Sequence, residues 1–247
     1  MMQPRESAAA RHWPEAVIFD LDGTLVDSAP DLAAALNTVL QDHDLQPLSL
    51  DDVTGMIGGG VPKLIERALT ALGQPADGAL AGRLVDAFLP VYSACATERT
   101  TVFPGVRDIL ERFAGVGVRM GVCTNKPTGI SKQILSDLDV ARYVDVVVGG
   151  DSGLERKPHP APLLSALESL GVSADGAVMV GDSGADAGAA RAAGVPVVLV
   201  TFGYTQTPVE EIDCDHVISG FDALEAVLDA LRPNGRRAAS AAVTQGV

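Results

Sequence analysis

At 247 residues, with 47% apolar and 20% charged side chains, the chain can bury a substantial core as one large domain or two modest ones. Its 18 basic against 32 acidic residues give a net charge of -14, which argues against nucleic acid and anionic membrane as partners. An aromatic content of 4% leaves no platform for stacking single-stranded bases.

Residues 1–14 carry Arg5 and Arg11 but no apolar run long enough for a signal peptide or membrane span, and read as a disordered leader. Ala16-Val17-Ile18-Phe19 then runs into Asp20 without alternation, the pattern of a buried parallel strand whose end opens onto a loop. Trp13 is placed beside this strand. Asp20 and Asp22 lie at that loop, across a turn loosened by Gly23, and can face one point from two sides. That suits a nucleophile paired with an acid/base.

From Pro30 to Thr100 the apolar spacing is helical throughout. Asp31 to Leu40 forms a first helix with Ser28 available as its N-cap. Ser49-Leu50-Asp51-Asp52 starts a second, Gly58-Gly59-Gly60 breaks the chain, Val61 to Leu72 resumes it, and a long amphipathic run covers about Ala76 to Glu98. The block reads as a helical module inserted into another domain.

After Phe103-Pro104-Gly105 strands and helices alternate. Strands are expected at Val116 to Cys123, Tyr143 to Val148, Ala177 to Val180, Val195 to Val200 and near His216-Val217-Ile218. Helices are expected at about Thr128 to Leu138, Pro160 to Leu170, Ala185 to Ala193 and Phe221 to Leu231. The fold class is therefore α/β: a Rossmann-like doubly wound parallel sheet with helices on both faces. Residues 15–28 and 100–232 make this core, 29–99 the inserted helical cap, and 233–247 a disordered tail. Cys95, Cys123 and Cys214 are odd in number and lack Cys-x-x-Cys spacing, as expected of reduced thiols in a cytoplasmic protein. His12, His43 and His216 show no metal spacing, and His159, between two prolines, shapes the loop that carries Lys157.

Strand ends converge on one crevice in such a sheet, and four of them bring chemistry: Asp20 with Asp22, Thr124 with Asn125, Lys157, and Asp182. The Thr124 hydroxyl and backbone amides at the Gly23 and Asn125 turns can donate to phosphoryl oxygens, with Lys157 as a fixed positive charge. Asp20 and Asp182 offer the hard oxygen ligands that Mg²⁺ favours. A chain this acidic needs such local positive charge to admit an anionic phosphate ester.

In order and spacing, Asp20-Leu21-Asp22-Gly23-Thr24, Thr124, Lys157-Pro158 and Gly181-Asp182-Ser183-Gly184-Ala185-Asp186 resemble the four motifs of the haloacid dehalogenase-like phosphohydrolase superfamily, over essentially residues 16–231. Within it, Asp20 through Leu32, Thr124-Asn125-Lys126-Pro127, and Gly149-Gly150-Asp151 with Lys157-Pro158-His159-Pro160 resemble the bacterial phosphoglycolate phosphatases. The resemblance implies a four-helix, C1-type cap. It also implies Mg²⁺ held by the Asp20 carboxylate, the Asp22 carbonyl and Asp182. Asp186 would stand behind them, paired with Lys157 or holding a metal-bound water, while its position also suits a helix N-terminus.

Residues and resemblance together imply that Asp20 attacks phosphorus to form an aspartyl-phosphate. Asp22 then protonates the leaving alkoxide and later deprotonates the hydrolytic water. The substrate is expected to be small and anionic, most simply 2-phosphoglycolate, for a monomer or homodimer without nucleic acid or membrane partners. The cap would close over it on hinges near Asp27 to Pro30 and Thr97 to Pro104. Gly59, Lys63 and Arg67 would meet its carboxylate. Rival readings are another phosphatase or mutase of the superfamily, acting on a sugar phosphate or pyrophosphate, and a receiver-type phospho-accepting module. The latter carries an adjacent acidic pair at its first strand and no helical insertion. A dehalogenase would leave Asp22 without a proton to deliver.

Overall fold

The computed structural model describes residues 13–233, so the expected leader and tail fall almost wholly outside them. Trp13 is already buried, its indole Nε1 donating to the Asp175 carbonyl at 3.2 Å.

In chain order the elements are β1 (Ala16–Phe19), β2 (Val26–Asp27), α1 (Ala29–Asp42), α2 (Leu50–Thr54), α3 (Val61–Ala71), α4 (Ala79–Cys95) and β3 (Thr101–Val102). They continue with α5 (Val106–Gly115), β4 (Arg119–Cys123), α6 (Thr128–Asp137), β5 (Val146–Val148), α7 (Ala161–Leu170), β6 (Ala177–Gly181), α8 (Gly184–Ala193), β7 (Val197–Val200), β8 (His216–Ile218) and α9 (Leu224–Leu231).

The main sheet is six-stranded and parallel, ordered β5-β4-β1-β6-β7-β8. β1 sits inside it, paired to β4 on one edge and β6 on the other. Its residues alternate between two apolar layers, Val17 and Phe19 facing one, Ala16 and Ile18 the other. Both faces of the strand are dry, which is why its sequence is apolar without alternation. α7 and α8 cover one layer through Leu163, Ala166, Ala187 and Ala190; α5, α6 and α9 cover the other through Ile109, Ile134 and Leu224. The chain winds outward both ways from β1, so the strand order reverses between β1 and β6, and the crevice forms at their carboxyl ends.

The helical block expected as a cap comprises α1 to α4, with α1 and α3 both packed on α4. Its two connections to the core pair with each other as an antiparallel ribbon, Val26 opposite Val102 and Asp27 opposite Thr101. This ribbon was not anticipated, because two-residue strands carry no periodicity. Asp31, buried in the first turn of α1, closes the joint: its carboxylate accepts from the Arg99 and Thr100 backbone amides at 2.8–3.0 Å and from the Thr100 hydroxyl at 2.7 Å.

Several elements differ from expectation, three of them with a clear local cause or signal. The strand expected from Val116 starts at Arg119, because α5 runs to Gly115 and Gly117 takes a left-handed turn at φ 79°. α5 itself went unread, although Val106, Ile109, Leu110 and Phe113 recur at helical spacing. Tyr143 belongs to a short 3₁₀ turn ahead of β5. Among the described residues no helix is long and apolar enough to cross a membrane.

Candidate active site

Asp20 leaves the end of β1 nearly enclosed, its Oδ1 accepting from the Leu21 amide at 2.7 Å and from Lys157 Nζ at 2.9 Å. Lys157 also donates to Asp186 Oδ1 and to the Cys123 carbonyl, both at 2.6 Å. Burial lowers the pKa of the lysine, but the flanking Asp186 and Asp20 carboxylates outweigh it, and the net shift is upward. The backbone at Lys157 is clamped by the Asn125 amide, whose Oδ1 accepts from Lys157 N at 3.0 Å and whose Nδ2 donates to Lys157 O at 3.1 Å. The same Nδ2 reaches the cap, donating to Gly58 O at 2.9 Å. The Asn125 side chain is therefore engaged in joining loop, strand end and cap.

Asp182 follows β6, and its Oδ2 accepts from the Tyr204 amide at 2.6 Å. Ser183 and Asp186 form a capping box at the start of α8. Asp186 Oδ2 accepts from Asp182 N at 3.2 Å, Ser183 N at 3.1 Å and the Ser183 hydroxyl at 2.7 Å, while Oδ1 faces Lys157. Both readings of Asp186 that need no metal, helix capping and pairing with Lys157, are thus met by one carboxylate.

Ligand oxygens of Asp20, Asp182 and Asp186 lie within 4.8 Å of one another, all buried. Burial, opposed by Lys157 and reinforced by Asp186, pushes Asp20 up to about 6; burial with the Asp186 and Asp20 charges raises Asp182 well above the usual carboxylate range. With Asp22 and Lys126 counted, four carboxylates face two ammonium groups, an excess that one divalent cation would balance. The donor set is hard oxygen, and the residues present fit a metal ion of that class.

Asp22 stands apart from this cluster. Lys126 Nζ donates to its two oxygens at 2.7 and 2.9 Å, and the Ser28 hydroxyl donates to Oδ1. Ser28 therefore does not cap α1 with its side chain, as had been expected. Lys126 is buried and holds its charge, because the Asp22 carboxylate overcomes the cost of burial and raises the ammonium pKa. The aromatic face of Tyr92, from α4, lies 4.7 Å from the same nitrogen.

The cavity between cap and core is lined on one side by Asp20, Asp22, Thr124, Asn125 and Lys126, and on the other by Leu32, Ile57, Val61, Leu64 and Tyr92, with Gly58 and Gly60 between. Thr124 Oγ1 accepts from Lys126 N at 3.2 Å, leaving its hydroxyl hydrogen for an acceptor in the cavity. Four of the expected site residues have other contacts or lie away from the cavity. The Gly23 amide donates to Val26 O at 3.0 Å within the turn, so this glycine contributes clearance: a Cβ on it would come 2.4 Å from Asp182 Oδ2. Lys63 pairs with Glu66 at 2.6 Å on an exposed helix face, and Arg67 Nη1 donates to the Met56 and Ile57 carbonyls, bracing the loop ahead of Gly58. Neither Lys63, Arg67 nor Gly59 lines the cavity.

Lys126, Tyr92 and Tyr204 are site residues that sequence reasoning missed. Lys126 had a usable signal, two places after Thr124 in a strand-end loop. Tyr204 had none, yet its hydroxyl accepts from Ser28 N at 2.7 Å and Ala29 N at 3.1 Å and donates to Asp27 Oδ1 at 2.7 Å, tying the start of α1 to Asp182.

The profile of the haloacid dehalogenase-like hydrolase family matches residues 17–200. A phosphoglycolate phosphatase of Rhodospirillum rubrum is 44% identical over 228 residues, covering 91% of this chain and 95% of that one. One of Caulobacter vibrioides is 43% identical over 205 residues, covering 83% and 86%. The crystal structure of a predicted phosphoglycolate phosphatase from Haemophilus somnus superposes with a TM-score of 0.80 at 30% identity, covering 86% of this chain and 97% of that one. A profile that spans most of the sequence, with relatives 43–44% identical over most of their own length, leaves one conclusion: the chain belongs to the haloacid dehalogenase-like hydrolase family.

Proposed function

We propose that the protein is a Mg²⁺-dependent phosphomonoester hydrolase acting on 2-phosphoglycolate, releasing glycolate and phosphate. The observation that carries this reading is the Asp20 carboxylate, at the switch point of the sheet and against Lys157, with a metal-competent acid beside it and a cap-covered cavity ahead. The phosphoglycolate phosphatases among its relatives supply the substrate.

Asp20, Asp182 and the Asp22 carbonyl would hold the ion, which when bound supplies positive charge against the phosphoryl group. Lys157 holds the Asp20 carboxylate in one orientation and offsets part of the charge that an incoming phosphate must meet. One Asp20 oxygen bonds to phosphorus as the bond to the alkoxide breaks, giving an aspartyl-phosphate. The departing oxygen takes its proton from Asp22, which in the second half-reaction accepts a proton from the water that releases phosphate. Thr124, through its hydroxyl, binds a phosphoryl oxygen. Lys126 and the Ser28 hydroxyl fix the position of Asp22 at the cavity for both transfers.

The test is phosphate release from small phosphomonoesters, with and without Mg²⁺, for the wild type and D20N. Turnover should favour 2-phosphoglycolate over sugar phosphates and pyrophosphate, require Mg²⁺ and vanish in D20N. A D20N variant that keeps a tenth of the activity would refute nucleophilic catalysis by Asp20, and sustained multiple turnover excludes a receiver-type module.

A further inference from the structure

Resting on the phosphoglycolate reading, the geometry points to a carboxylate subsite made of Lys126 Nζ and the Tyr92 hydroxyl, which selects substrates bearing a carboxylate on the leaving group. Among the described residues that line the cavity, Lys126 is the only cation. It is buried and already holds one carboxylate, Asp22, with two hydrogen bonds; an ammonium has a third donor to give.

Tyr92 is the second observation. It enters the same cavity from α4, is 1% exposed, and its hydroxyl makes no hydrogen bond of normal geometry within the fold, though the Lys126 ammonium stands beside it. Buried hydroxyls are nearly always satisfied, and the Tyr92 hydrogen, which a lysine ammonium cannot accept, is available to an acceptor that enters the cavity. Burial pushes this phenol up to about 12, so it stays a donor at neutral pH. Two donors, one charged and one neutral, therefore converge from core and cap where Leu32, Ile57, Val61 and Leu64 offer a leaving group no polar contact through their side chains. A short acid fits that pairing; a polyhydroxylated sugar would leave its hydroxyls unpaired against the apolar wall.

The subsite also answers an electrostatic difficulty. A substrate carboxylate placed near Asp22 would be repelled by it, and a shared ammonium between the two anions removes that repulsion. Recognition of the acid and placement of the proton donor thus meet in Lys126.

The experiment compares kcat/KM for 2-phosphoglycolate and for ethyl phosphate, which lacks the carboxylate, in the Mg²⁺-loaded wild type, K126M and Y92F. The ratio of the two should fall about tenfold in Y92F and about a hundredfold in K126M, the scale of lost hydrogen bonds to a charged group. Binding gives a readout apart from turnover: in the D20N background, adding Y92F should weaken the calorimetric Kd for 2-phosphoglycolate about tenfold and leave that for inorganic phosphate in place. Y92F removes a hydroxyl that makes no hydrogen bond of normal geometry and leaves the Lys126–Asp22 pair intact, so it serves even where K126M, which strands the Asp22 carboxylate, fails to fold. A wild type that hydrolyses ethyl phosphate as well as 2-phosphoglycolate would remove the substrate reading and the subsite with it. A wild type that prefers 2-phosphoglycolate, with the ratio unchanged in Y92F, would remove the subsite alone.

Discussion

Replacing Asp186 by asparagine tests how the centre of the site is held. The carboxylate is wholly buried and accepts on both oxygens, from Lys157 on one and from Asp182 N, Ser183 N and the Ser183 hydroxyl on the other. An amide of the same shape has one acceptor and one donor end, so no orientation satisfies both sets. With its nitrogen toward Lys157, two donors face each other and a charge-assisted bond is lost; turned round, two backbone amides at the start of α8 lose their acceptor. Either arrangement costs about 2–4 kcal/mol, part of which is offset because Asp186 no longer repels Asp20 and Asp182. A net loss of about 2–3 kcal/mol lowers the melting temperature of a chain this size by roughly 4–12 °C. The assay is thermal unfolding of D186N against wild type in EDTA, repeated with Mg²⁺. Melting within about 1 °C of wild type in EDTA would refute the reasoning, since that difference is far below the expected shift. A deficit that arises only with Mg²⁺ would mean that Asp186 acts through a metal-bound water.

The remaining predictions concern the same cluster and the cap. Burial raises Asp20 to about 6, so in the metal-free protein its protonation favours the fold at low pH, a contribution on the order of 1–3 kcal/mol lost as pH rises through about 6. Because a cation competes with protons for these oxygens, the Mg²⁺-induced gain in melting temperature should be larger at pH 7.5 than at pH 5; a gain independent of pH would contradict the acid cluster as its site. A Cβ at position 203 would lie 2.2 Å from Asp182 Cβ and 2.4 Å from its Oδ2, so G203A should displace Asp182 and abolish the Mg²⁺-induced shift, and retention of the full shift counts against Asp182 as a ligand. Y92F deletes a buried hydroxyl that makes no hydrogen bond of normal geometry but stands beside the Lys126 ammonium, so the two effects should nearly cancel and the melting temperature should stay within about 2 °C of wild type; a fall of about 4 °C or more would mean that the hydroxyl is firmly bonded in the fold.

The acids and the lysine could be read ahead of the structure for a topological reason. Parallel strands joined by right-handed crossovers bring their carboxyl ends to one side, so Asp20, Thr124 and Asp182 had to share a crevice once Ala16–Phe19, Arg119–Cys123 and Ala177–Gly181 were strands. Lys157 followed from the same rule applied to the loop after β5. Side-chain partnerships between segments were not available in this way. Ser28 sits where a helix cap belongs, yet its hydroxyl goes to Asp22, because a buried carboxylate competes better for it than the α1 amides do. Lys63 and Arg67 have the charge to meet an anion, but nearer partners on their own helix and loop claim them.

Order along the polymer determined the sheet, the inserted helices and the identity of the acids at the strand ends, because hydrophobic periodicity and chain connectivity are local or topological properties. Tertiary structure alone decided that Lys126 holds Asp22, that Tyr92 of α4 packs its ring and hydroxyl against Lys126, and that Tyr204 links the start of α1 to Asp182. Those pairings join residues up to 177 positions apart, and they depend on ångström-scale distances inside a desolvated cavity, where electrostatic and hydrogen-bond energies are large and no sequence spacing records them.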